Sequence, residues 1–266
     1  GMIGTTGTVI GDVVTPTLNT TPESYELHQA FAQMVEAGCE YAVMEVSSQG
    51  IKMHRTDGLY FNYAIFTNIS PDHIGPGEHA DFEEYLYYKT RLLNMCGIGL
   101  VNKDDKHAPQ IIKAANCELY TYSEESKEAD FVASDIRYVS QPDFVGTEFH
   151  ISGKYDMEVR LGIPGLFNVV NALAAVSVCS FLGLDQARIS HALENIRVNG
   201  RMEIVYTSER CTVLVDYAHN AVSMESLLST LRDYKPKRLV CVFGCGGNRS
   251  KDRRYSMGEI GGKMAD

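Results

Sequence analysis

Within "VMEVSSQGIKMHR", residues 43–55, a carboxylate (Glu45), two hydroxyls (Ser47, Ser48) and a guanidinium (Arg55) follow one apolar run. A carboxylate at a strand end can take a hard cation, and hydroxyls with an arginine can hold an anionic group beside it. A buried strand with a polar exit loop has the same composition, so this stretch alone leaves both readings open. A second group lies in "TNISPDHIGPGEHADFEEYLYYKTRLL", residues 67–93: His73 in the loop beyond an apolar strand, and Lys89 in the helix that follows. Taken singly, these are a loop histidine and a solvated lysine. Ligands of open α/β sheets gather beyond the carboxyl ends of the strands. Glu45, His73 and the Lys89 helix are therefore expected to converge there, with a carboxylate and an imidazole suited to Mg2+ or Mn2+.

Three further stretches carry polar groups at structural boundaries. Asn168 and Asn171, at i and i+3 in "GLFNVVNALAA", share one face of an apolar helix; they either read a heterocycle edge or cap the first turn. "VDYAHN" is a strand ending in Asp216, Tyr217 and His219, able to hydrogen-bond a ribose. "GCGGNRSK" (244–251) is a glycine turn after a strand that does not match G-x-x-x-x-G-K-[ST], and no other segment does.

The elements that would position these groups alternate between strand and helix, which predicts an α/β protein with a mostly parallel sheet. Thr21-Pro22-Glu23 reads as N-cap, N1 proline and acidic first turn of a helix ending at Gly38. Strands are expected at 40–46 (interior) and 62–67, a helix at 81–95, and strand, helix, strand over 98–123. Alternating strands over 130–161 form an antiparallel annex. Helices follow at 165–182 and 186–195. Beyond "RVNGRMEIV" the pattern resets to βαβ: strands at 202–207 and 211–216, a helix at 221–233 and a strand at 238–244. A boundary at Asn199-Gly200 leaves 200–266 as a partial Rossmann-like domain, too short for a complete doubly wound sheet.

The chain has 266 residues, 44% hydrophobic, with a formal net charge of −10 and no lysine- or arginine-rich block. That excludes the basic footprint of a nucleic-acid or anionic-membrane binder, while an anionic small substrate stays compatible with a local pocket. Seven scattered cysteines, never spaced C-x-x-C, read as reduced thiols of a cytoplasmic protein. The uncharged run 161–184 holds Pro164, Gly165, Asn168 and Asn171 and suits a core helix better than a membrane span.

In order along the chain, "NTTPES", "MEVSSQGIKMHR", "TNISPDH", "GLFNVVNALAA", "GRMEIV", "VDYAHN" and "FGCGGNR" resemble the Mur ligases. The likeness is strongest to the branch that adds the third residue to UDP-N-acetylmuramoyl-L-alanyl-D-glutamate. It implies a central ATPase domain (1–199) without its P-loop and the first half of a C-terminal domain (200–266). It also implies ATP and Mg2+ as cofactors, with a UDP-muramoyl dipeptide and an amino acid as substrates. By resemblance, Glu45 ligates Mg2+ at the phosphates, while Thr20, Thr21, Ser47 and Arg55 hold the muramoyl peptide. Lys89 becomes a carbamate that holds a second Mg2+ beside His73. Asn168 and Asn171 face adenine, Arg201 the phosphates, and Asp216 with His219 the ribose. Folylpolyglutamate- and cyanophycin-type ligases share the ATPase core, and a non-catalytic scaffold remnant is the alternative of another class. Against the family pattern, Met53 stands where some members have Gln, and the His73–Lys89 loop lacks the common Tyr-His-Gly. Asn248 replaces an acid, Tyr255 a proline, and no P-loop is present. The expected consequences are that the fragment is inactive and that the half domain leaves an apolar edge for dimerisation or domain exchange to cover.

Overall fold

A computed structural model describes residues 1–245 and 251–266. It divides into two compact units, 1–121 and 122–266. The first opens with β1 (Met2–Gly4), β2 (Gly7–Ile10) and β3 (Val13–Thr15), an antiparallel meander that the opening sequence did not announce. Next comes α1 (Ser24–Glu36), and its N-cap is Glu23 rather than Thr21. Glu23 and Glu26 form a reciprocal capping box there. Leu27, Ala30 and Met34 repeat at helical spacing and bury against Ile3 of β1.

The strand expected over 40–46 is reduced to β4 (Val43–Met44), parallel to β1 at the sheet edge, in the order β3-β2-β1-β4. It is not an interior strand: with a neighbour on one side only, Val43 is 67% exposed. The short helix α2 (Ser48–Lys52) follows at once, capped by the Ser47 hydroxyl, which accepts from Gly50 N at 2.9 Å. Then come β5 (Phe61–Phe66) and α3 (Phe82–Arg91), the latter capped by Asp81 and continued by a 3-10 turn, Leu92–Asn94. Strand β6 (Cys96–Asn102) lies parallel to β5. Phe66, Tyr85, Leu86, Leu93, Val101 and Ile111 of α4 (Ala108–Ala114) form the core between these elements. Each fully buried side chain of this size contributes about 2–3 kcal/mol by leaving water.

Strand β7 (Glu118–Ser123) ends in the second unit, where Tyr122 and Ser123 pair in parallel with β8 (Phe131–Gln141). The antiparallel annex is β8, β9 (Phe144–Gly153) and β10 (Met157–Leu161), in the order β10-β9-β8 beyond the end of β7. Helices α5 (Leu166–Phe181) and α6 (Gln186–Glu194) follow. Gly165, at φ 107°, supplies the N-cap conformation of α5 that a side chain would strain. Among the described residues, no helix is long and apolar enough to cross a membrane.

Beyond Gly200 the expected βαβ unit is replaced by an antiparallel pair, β11 (Glu203–Thr207) with β12 (Thr212–Val215), then α7 (Ala221–Asp233) and α8 (Lys251–Met264). The strand expected at 238–244 is absent. Its ladder groups go elsewhere: Leu239 N donates to Asp266 Oδ2 and Leu239 O accepts from Asp266 N, each at 2.8 Å. A strand is defined by its partner, and β11–β12 does not supply one.

Candidate functional site

The strand-end group of the first unit is built on Thr21 and Glu45. Thr21 is fully buried, and its hydroxyl donates to Glu45 O at 3.0 Å while accepting from Ser47 N at 2.9 Å. Its threonine chemistry is thereby spent on holding the loop in shape. The exposed Glu45 carboxylate takes the Thr5 hydroxyl at 2.8 Å, and Thr5 Oγ1 lies 3.1 Å from Thr20 Oγ1. A carboxylate and two hydroxyls thus form one oxygen cluster at the surface. Ser47 Oγ is occupied as the α2 cap. Arg55, its side chain 14% exposed, pairs with Glu23 at 2.7 Å and donates to Thr21 O at 3.2 Å. Its Nε is buried without a partner.

His73 and Lys89 share a different neighbourhood. His73 sits at φ 52°, its side chain 58% exposed, with Nδ1 3.3 Å from Glu78 Oε1 and its ring edge-on to Tyr85. Lys89 Nζ lies over the Tyr85 ring, 5.5 Å from its centroid. Burial pulls the Lys89 amine below the usual lysine range, and the nearby Asp105 and Asp72 oppose that shift only in part. Asp105 is fixed by two amides, from Ile69 at 2.7 Å and His107 at 2.8 Å. Lys89 therefore faces Asp105, Asp72 and Tyr85. The Glu45 carboxylate is held by Thr5 instead, so the expected convergence of Glu45 with His73 and Lys89 is not formed by direct contact.

In the second unit, Asn168 is buried and its amide donates to Pro164 O at 2.6 Å, a capping bond, while Asn171 is exposed on the same helix. Asp216 accepts from Met202 N and Ala218 N, each at 2.8 Å, so one carboxylate oxygen fixes the backbone at Met202 and the other the turn after β12. Arg201 stacks over Tyr217 at 5.1 Å, and His219 is exposed with Nδ1 3.0 Å from Tyr217 O. Most of the glycine turn 244–251, Asn248 included, lies outside the described residues.

Thr5, Asp72, Tyr85 and Asp105 were not anticipated. Only "PDH" before His73 and "KDD" after β6 hinted at the two acids, and nothing in "GMIGTTG" singles out Thr5. Two surface depressions, of about 530 Å3 beside Gly1 and Tyr41 and about 270 Å3 beside Tyr87 and Gln110, contain none of the candidate residues. Among the described residues no cluster of three His, Cys, Asp or Glu side chains could hold a metal unaided. A cation at the Glu45 oxygens would have to complete its shell from ligand and water, as Mg2+ does at phosphates.

Residues 1–179 match the Mur ligase middle domain and residues 200–266 the Mur ligase glutamate ligase domain. The chain belongs to the Mur ligase family. It is similar to the UDP-N-acetylmuramoyl-L-alanyl-D-glutamate–2,6-diaminopimelate ligase of Caldanaerobacter subterraneus subsp. tengcongensis, 38% identical over 272 residues. That alignment covers 100% of this chain and 54% of the relative. The ligase of the same description from Clostridioides difficile is 36% identical over 276 residues, with 100% and 55% covered. A solved structure of such a ligase superposes with a TM-score of 0.82 at 30% identity, covering 100% of this chain and 54% of that one. The folylpolyglutamate synthase of Mycobacterium tuberculosis, at 22% identity and a TM-score of 0.61 over 82% of this chain and 48% of its own, shares the fold. The chain spans about half the length of the curated relatives it matches.

Proposed function

We propose that this chain is the catalytic middle of an ATP-dependent ligase that joins an amino acid, diaminopimelate as in the named relatives, to UDP-N-acetylmuramoyl-L-alanyl-D-glutamate. The division at Asn199-Gly200 separates its ATPase part from its amino-acid-binding part. The observation that carries the reading is Lys89, an amine drawn out of water over the Tyr85 ring and below its usual pKa, with His73 against the same ring. A lysine that spends more time neutral takes up carbon dioxide: the amine nitrogen bonds to carbon, a proton leaves, and a cation becomes an anionic carbamate. One Mg2+ would rest on Glu45 and a second on that carbamate with His73, and both would neutralise charge on the transferring phosphoryl group. Thr5 and Thr20 orient the Glu45 carboxylate. Thr21 sets the loop that presents Ser47 and Arg55 to the carboxylates of the muramoyl peptide, and the exposed Asn171, Arg201 and His219 meet the nucleotide.

The 266 residues contain no G-x-x-x-x-G-K-[ST] nest for the β- and γ-phosphates. The test therefore compares this chain with the same chain extended to the relatives' length, assayed for ADP release with ATP, Mg2+, the UDP-muramoyl dipeptide and diaminopimelate. Turnover dependent on all four in the extended protein, lost in Lys89→Ala, supports the reading. Turnover unaffected by Lys89→Ala, or none with any amino acid, overturns it.

A further inference from the structure

His79 is fully buried in a loop between β5 and α3, and it touches every element of the first unit that carries His73, Ser47 or Lys89. Its Nε2 lies 2.9 Å from the hydroxyl of Ser48, itself buried, the residue next to the α2 cap Ser47. On the main chain, His79 N donates to His73 O at 3.0 Å and His79 O accepts from Gly75 N at 3.1 Å, closing the loop that begins at His73. The imidazole packs on two rings of α3, 5.2 Å from Tyr85 and 5.6 Å from Tyr88, and Tyr85 is the ring beneath Lys89. A second tie runs parallel to the first. Glu84, in the first turn of α3, takes Lys52 Nζ at 2.9 Å and the amide of Ala80 at 2.6 Å, and Lys52 is the last residue of α2. Helix α2 is thus held at both its ends, by His79 at Ser48 and by Glu84 at Lys52, which fixes its rotation as well as its position.

We propose that His79 is the positioning residue of this site, a buried imidazole that holds the His73 loop, the Ser47 end of α2 and the start of the Lys89 helix in one register. The role rests on the function proposed above. A phenyl ring would fill the same volume without the cost of burying polar nitrogens. Nδ1 is buried without a hydrogen bond but faces Glu84 Oε2 at 3.7 Å, so both ring nitrogens sit against polar groups that a space-filling ring would not need. What a phenyl ring lacks is the directed bond to Ser48.

The test uses this chain and three variants: His79→Gln, whose amide reaches the position of Nε2, His79→Asn, whose shorter amide does not, and His79→Ala. Amide exchange is followed at Gly50–Met53 and Gly75–His79 beside thermal melting. In a parallel sample, carbon-13 bicarbonate reports a carbamate signal on Lys89. We expect exchange in both segments to quicken about tenfold in His79→Asn with the melt still cooperative, and to stay near the parent in His79→Gln. The carbamate signal should survive in His79→Gln alone. Equal behaviour of the Gln and Asn variants, or unchanged exchange in a folded His79→Ala, overturns the proposal. If the parent itself shows no carbamate, the reading of Lys89 fails, while the exchange comparison still decides the role of His79.

Discussion

Thr21 and Glu45, twenty-four residues apart, are joined by a 3.0 Å hydrogen bond from the threonine hydroxyl to the main-chain carbonyl of the glutamate. The same hydroxyl receives the amide of Ser47. Its loss would leave a part-buried carbonyl and a part-buried amide without their partner. Thr21→Val, which keeps shape and drops the hydroxyl, should cost about 1–3 kcal/mol in urea denaturation, and Thr21→Ser should recover most of it. A neutral Thr21→Val would mean that water replaces the hydroxyl.

Gly4 lies directly beneath the Glu45 carboxylate: a Cβ there would meet Oε1 at 2.6 Å. Gly4→Ala should push the flexible carboxylate off Thr5 at little cost to the fold, and weaken any divalent-cation binding more than it weakens the fold. Calorimetric titration with Mg2+ and nucleotide beside a melt separates the two effects.

Lys89 gives the folded protein a pH signature. Its pKa is lowered on folding, so the unfolded chain binds that proton more tightly. Stability should therefore rise with pH between the lowered folded value and the ordinary lysine range, and bear the full cost below it. Lys89→Met should abolish that alkaline rise and be at least as stable as the parent near neutrality. Denaturation at about pH 7 and about pH 10 tests the sign.

Burial, reinforced by a hydrogen bond with Cys117, pushes the Cys96 thiol up to about 12. Cys211 is exposed. Iodoacetamide near neutral pH should modify Cys211 at least about tenfold faster than Cys96, as read by peptide mapping, and comparable rates would contradict the burial of Cys96.

Val240 is 63% exposed, Val242 93% and Phe243 43%, in the segment where a strand was expected. Such an apolar run without a ladder partner should bind a nonpolar dye or draw copies together as concentration rises. Sedimentation of a strict monomer at high concentration, with no dye bound, would argue against it.

The α/β character, α7 and the antiparallel annex were legible because each rests on local periodicity. The failures occurred where a partner decides. The interior strand read at 40–46 became a two-residue edge because β1 lies on only one side of it. The strand at 238–244 lost its ladder to Asp266, a residue no local pattern connects to it. Within the candidate site, the types at 45, 47, 55, 73 and 89 stood out because charged and hydroxyl groups at strand ends are chemically distinctive. Thr5, Asp72, Asp105 and His79 act through tertiary proximity and left no spacing to read.

Glu23 both caps α1 and holds Arg55. An acidic ligand that recruits Arg55 would therefore exchange one carboxylate for another rather than fill an open cation. Ion-pair exchange of this kind leaves the number of paired charges unchanged, so such a ligand's affinity would respond little to ionic strength. Its selectivity would come from shape, from whichever acid matches the arginine fork better than Glu23 does. The freed glutamate would keep its place in the α1 capping box, so the helix would stay capped when the ligand arrives.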